Sequence, residues 1–210
     1  MSKLIREDVV EAWIYGGIMD FYIAFFMENK RFYEYAAFCY HQGIEKTCKA
    51  YLLGARSAEY EALQEKEAEI KVDKIAKDKK MGHNLRSMID RLIFERVLEE
   101  GILTKKYYAF DSKYICGSQV IESLEKAYLE SRYPVPYATH EKHPLGDLPG
   151  YWDPITSHIP GEFACEIGLE IIRGIESRFD MSISKDKIIN AIDGADWIMF
   201  RRTFFKDTLA

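Results

Sequence analysis

Residues 32–53 read FYEYAAFCYHQGIEKTCKAYLL. Within them Ala37, Ile44, Cys48, Tyr51 and Leu52 fall on one side of a 3.6-residue helix. Gln42, Glu45, Lys46 and Lys49 recur at i, i+3, i+4 and i+7 on the other side. The same period returns in Leu85, Met88, Ile89, Leu92 and Ile93, and again in Val120, Ile121, Leu124, Ala127 and Tyr128. A fourth stripe is Ala164, Ile167, Gly168, Ile171 and Ile175. No stretch shows sustained strand alternation closed by hairpin turns, so the chain reads as all-α.

The composition fits that reading. Of 210 residues, 48% are hydrophobic and 30% charged, which excludes a disordered or collagen-like chain. A chain of this length buries about 70% of its unfolded surface, so it folds without a metal or disulfide staple. The net charge of −5 argues against a broad basic face that grips many phosphates, while leaving room for a local patch. Cys39, Cys48, Cys116 and Cys165 are scattered without a CxxC pair, as expected of buried free thiols in the cytoplasm. No signal-peptide pattern opens the chain. The most apolar stretch, residues 12–27, is interrupted by Asp20 and diluted by Gly16 and Gly17. At 16 residues it is short of a membrane span, and it reads as a buried core helix.

Two segments break the helical pattern. Residues 58–80 run from an acidic half to a basic half, as a solvated helix or connector does. Residues 71–91 hold seven Lys or Arg against three Asp, which is the candidate basic patch of an acidic protein. All six prolines (Pro134, Pro136, Pro144, Pro149, Pro154 and Pro160) fall within 27 residues. Proline pushes the preceding residue out of the helix, so a helix is expected to end near Arg132 or Tyr133, followed by a long loop anchored by Tyr137, Tyr151 and Trp152. A tail helix is expected from about residue 184, with Gly194 as a kink or break.

The stretch 32–53 is similar to the signature helix of HEPN domains, in which a Gln, a Glu-Lys pair and a Lys-Ala pair recur at the spacing of Gln42, Glu45-Lys46 and Lys49-Ala50. Gly82-His83-Asn84-Leu85 resembles the Gly-His-Asp-Leu turn that opens a later helix of that family, and Ser131-Arg132-Tyr133-Pro134 resembles the Arg-Tyr-Pro that closes another. The resemblance covers roughly residues 11–179. It implies an up-and-down bundle of four to five helices over residues 1–180, with the Pro-rich insertion at 134–160 and an extra helical extension at 181–210. It further implies a homodimer and an RNA or nucleotide ligand. Such modules occur in toxin–antitoxin and other defence systems, some as partners of a minimal nucleotidyltransferase.

Ribonuclease members of the family carry an Arg, four to six residues, then a His, often with a Tyr two places on. Here Arg132 is followed by seven residues before His140, two of them prolines, and Lys142 stands where the Tyr would be. That departure points to a non-catalytic module. If the chain does cleave RNA, His140 is the candidate base and Arg132 the candidate phosphate clamp. The bland alternative makes Arg132 a cation complementing a helix end and His140 a surface residue.

Gln42, Glu45, Lys49 and His83 carry two readings each. They line a groove for an RNA end or nucleotide, or Glu45–Lys49 is an i, i+4 ion pair and His83 ties its turn to a neighbouring helix. His140 and His143, with Glu141, Asp147, Asp153 and His158 nearby, could be read as a metal site, but no Cys pair or helical His-Glu-x-x-His supports it, so neither metal nor cofactor is expected. No Gly-rich phosphate loop, nucleophile elbow or paired-carboxylate motif is present.

Overall fold

The computed structural model describes residues 4–30, 32–78, 83–108, 114–132, 160–183 and 200. Six helices are seen among them: α1 Arg6–Asn29, α2 Tyr33–Ala55, α3 Glu65–Ala76, α4 Leu85–Phe94, α5 Gly117–Arg132 and α6 Pro160–Phe179. The helical stripes become the core. Leu85, Met88, Ile89 and Leu92 of α4 are buried, as are Val120, Ile121, Leu124 and Tyr128 of α5 and Ala164, Ile167, Ile171 and Ile175 of α6. The molecule is thus a helical bundle with α2 at its centre, in contact with α1, α3, α4, α5 and α6.

Within this all-α architecture there is one short strand pair among the described residues. Lys106–Tyr108 (β1) and Tyr114–Cys116 (β2) form an antiparallel pair, with Tyr107 opposite Ile115. Three residues per strand are too few to establish a visible alternation, and the pairing is local to the approach to α5.

Helix ends follow side-chain and backbone chemistry. The Asn84 side chain caps α4 by accepting the Ser87 N–H at 2.6 Å. Arg96 (φ 60°) and Asp180 (φ 51°) are left-handed residues that end α4 and α6. The Val97 N–H then closes on Leu92 O, and the Met181 N–H on Glu176 O. Pro160 opens α6, a position where its missing N–H costs nothing. The charged stretch contains α3, which buries Ala68, Ile75 and Ala76 on one face.

At the centre, Phe21 of α1 sits between two glycines. A methyl group at Gly43 of α2 would lie 2.7 Å from one edge of its ring, and one at Gly168 of α6 2.6 Å from the other. The two glycines let three helices close on one buried aromatic. Asp20, the charge that interrupts the apolar run of α1, pairs with Lys46 of α2 at 2.7 Å. Burial raises its carboxyl, against the hydrogen bond from Lys46.

One expectation needs adjusting. The apolar run at 12–27 belongs to a 24-residue helix, long and apolar enough by length and composition to cross a membrane. Only one side of it is a core face: Val10, Ile14, Phe21 and Ala24 are buried, while Met19 and Ile23 are exposed. In the tail, Ile183 and Phe200 belong to the main core, and the Phe200 ring meets Tyr22 and Phe25 edge-on at 5.5 and 5.8 Å. The remaining tail and Pro-rich positions, including Gly194, Tyr137, Tyr151 and Trp152, lie outside the described residues.

Candidate polar junction of three helices

Glu45 lies on the polar stripe of α2 yet is 4% exposed, because α4 and α5 pack against the central helix there. Its carboxylate is the hub of a network. Lys49, one turn on and 8% exposed, donates to Oε1 at 2.5 Å. Gln42, one turn back, donates from Nε2 to Oε2 at 3.3 Å. From the turn before α4, His83 Nδ1 reaches both oxygens, at 3.0 and 2.9 Å. Burial alone raises a carboxyl, but hydrogen bonds from Lys49 and then His83 outweigh it here and hold Glu45 below the usual range. Glu45 is therefore ionised at neutral pH, and its charge is matched by Lys49.

The second half of the junction is aromatic. His41, fully buried, lies flat on Tyr128 of α5, with ring centroids 4.0 Å apart and planes 9° apart. Phe38 stacks on the same tyrosine at 5.6 Å, and His83 leans on it at 5.4 Å. His41 Nε2 donates to the backbone carbonyl of His83 at 3.2 Å. A carbonyl only accepts, so Nε2 carries the proton and Nδ1 presents a lone pair. That Nδ1 faces Glu45 Oε2 at 3.7 Å and has no hydrogen-bond partner. Burial pushes the His41 imidazole down to about 4, against the pull of Glu45, so it is neutral at pH 7.

The Glu45–Lys49 ion pair and the His83 tie between helices are thus both present. His83 is tied twice, by its ring to Glu45 and by its carbonyl to His41, and its side chain is still 55% exposed. Within the junction the Glu45 and Lys49 charges cancel. What it presents outward is the His83 imidazole with a partly exposed amide, Gln42; the Tyr128 ring beneath them is buried. Such a surface suits the hydrogen-bonding edge of a base or ribose better than a phosphate. Arg132 is the last residue of α5, one helical turn beyond Tyr128. Its side chain and all of His140 lie outside the described residues, as does His143.

In the basic run at 71–91, four of the seven cations pair with acids. Lys71 pairs with Glu59, Lys77 with Asp73, Arg86 with Asp90 and Arg91 with Glu95. Three of these are i, i+4 pairs; Asp73 and Asp90 are already counted in the run's balance, so only Glu59 and Glu95 offset it from outside, and Lys79 and Lys80 lie outside the described residues. Among the described residues no group of three or more His, Cys, Asp and Glu is placed to hold a metal ion. Cys48 is fully buried and its thiol is pushed up by desolvation, as befits a core residue and not a nucleophile. Buried thiols were expected throughout, but Cys39 and Cys116 are only partly covered.

Residue-by-residue reading of the sequence overlooked His41 and Tyr128 as members of the junction. A signal for His41 was available: with Ala37, Ile44 and Cys48 it continues the apolar stripe at i+4, i+7 and i+11. A histidine on an apolar stripe is a polar group that must find a partner in the core. No family model, no curated protein and no solved structure matches this chain.

Proposed function

We propose that this chain is a HEPN-like, non-catalytic module of the cytoplasm that receives an RNA end or a nucleotide at the Glu45–His83–Tyr128 junction. Its setting is a nucleotide-, RNA- or defence-related system of the toxin–antitoxin type. One observation carries the reading. Three segments widely separated in sequence (the polar stripe of α2, the turn at His83 and the end of α5) meet at one place, with His83 hydrogen-bonded to Glu45 and leaning on Tyr128. The first two belong to stretches on which the family resemblance rests, and Tyr128 lies one turn before the third, Ser131-Arg132-Tyr133-Pro134. Gln42 and His83 are the groups that meet the ligand; Glu45, Lys49 and His41 hold them in place. Arg132 supplies the phosphate contact that the neutralised junction lacks.

The test is a binding titration of fluorescent RNA and of free nucleotides, run beside incubation with total RNA in EDTA. Binding that weakens in His83→Ala and Arg132→Ala, with no cleavage, supports the module. Cleavage abolished by Arg132→Ala or His140→Ala replaces it with a metal-independent ribonuclease. Binding of neither ligand by the isolated protein, with co-purification of a nucleotidyltransferase, replaces it with an obligate partner subunit.

A further inference from the structure

Helix α1 is apolar on both sides, and only one side is used. Its inner face carries Val10, Ile14, Phe21 and Ala24 into the core. Its outer face carries Ala12, Gly16, Met19, Ile23 and Phe26, spaced 4, 3, 4 and 3 residues apart. This is the a/d spacing of a helix that packs lengthwise on another helix. Met19 is 36% and Ile23 37% exposed, and Ala12 is exposed as well. No charged residue of α1 lies on the stripe between its two ends, and the Lys46 side chain of α2, paired with Asp20, lies against Gly16. Those ends are charged oppositely: Asp8 lies on the same line one turn before Ala12, and Lys30 one turn after Phe26. Both are exposed, and neither joins an ion pair among the described residues. Lys30 instead hangs over the Phe26 ring, 5.6 Å from its centroid.

We infer that this face is a self-docking surface that pairs two copies of the chain through antiparallel α1 helices. The charge order selects the occupant and its direction. Antiparallel pairing about Met19 puts Asp8 of each copy opposite Lys30 of the other, closing two ion pairs about 33 Å apart at 1.5 Å per residue. Parallel pairing would set Asp8 beside Asp8 and Lys30 beside Lys30. The same two-fold axis places the small Ala12 opposite the large Phe26. It also brings Ile5, 44% exposed, towards the partner's exposed Phe32. A surface complementary to itself about one axis is what an isologous dimer needs. The surface stands on α1 alone and is independent of the proposed ligand site.

Sedimentation equilibrium of the full chain tests it, with helicity by circular dichroism as the folding control. The wild type forms a dimer. Asp8→Lys alone and Lys30→Asp alone each set two like-charge contacts in the pair and raise the dimer Kd about tenfold or more. The combined Asp8→Lys/Lys30→Asp variant restores it, because both contacts are again complementary. Ile23→Asp gives a monomer of unchanged helicity. A wild type that stays monomeric at high concentration overturns the inference, as does a dimer indifferent to the two charge reversals. Co-sedimentation of the wild type with anionic vesicles, lost in Ile23→Asp without any dimer in solution, assigns the face to a membrane and overturns it equally.

Discussion

The His41 imidazole lies flat against the Tyr128 ring at 4.0 Å, and through its Nε2 proton it holds the backbone carbonyl of His83. One buried, neutral histidine therefore joins α2 to α5 and to the turn that opens α4. Its value depends on staying neutral, because the charged form has no water to solvate it.

Stability should accordingly fall on mild acidification. The His41 imidazole sits at about 4 in the folded chain, below its unfolded value of about 6.5. Between those values the unfolded chain binds a proton that the folded chain does not, so stability rises with pH and is lost as pH drops through the window. The groups facing it are Glu45, His83 and Lys49. The Glu45 carboxyl is held low, so its own loss comes at more acid pH and adds in the same direction. Urea titrations from pH 7 to pH 4.5 should lose on the order of 2 kcal/mol from His41, and His41→Phe should flatten the slope. Parallel slopes for the two proteins would refute this assignment.

Removing Glu45 should be severe. Glu45→Ala leaves the Lys49 ammonium buried without its partner, a change that costs about 3–5 kcal/mol. The double variant Glu45→Leu/Lys49→Met should recover much of that loss, since it buries no charge. A double-mutant cycle read by chemical denaturation checks it, and simple additivity is the result that counts against a coupled pair.

The glycine seats of Phe21 give a steric prediction. Gly168→Ala puts a methyl group 2.6 Å from the ring and should destabilise by about 1–3 kcal/mol. Phe21→Ala should cost about 3–5 kcal/mol by leaving a cavity. Combined with Phe21→Leu, Gly168→Ala should be milder than in the wild-type background. Thermal melts of the set suffice, and a neutral Gly168→Ala would show that the helices are free to separate.

Thiol reactivity should single out Cys116. Hydrogen bonding with Ser118, followed by the Gln119 backbone, lowers its thiol at the start of α5. Burial raises Cys39 to about 11 and Cys48 further still, and Cys165 is buried. Iodoacetamide near pH 7.5, followed by peptide mass mapping, should label Cys116 first, with slower labelling in Ser118→Ala. Earlier labelling of Cys39 would contradict the assignment.

Much of the architecture was legible in the chain because it is local. Periodicity marks the core faces of α2, α4, α5 and α6, and Asn84 carries its own capping oxygen. These outcomes depend on residues within a turn or two, where backbone geometry dictates who meets whom. The fate of charge was not legible in the same way. Glu45 and Lys46 are adjacent on one polar stripe, yet Glu45 is buried under α4 and α5 while Lys46 turns to Asp20 on α1. In the basic run at 71–91, Lys71 pairs with Glu59 and Arg91 with Glu95, both outside the run. His41 became a structural hinge pin only because Tyr128, 87 residues away, covers it. Side-chain periodicity states which face a residue occupies. Whether that face meets water, a counter-ion or another helix is decided by tertiary packing, because desolvation and pairing are properties of the neighbours and not of the segment.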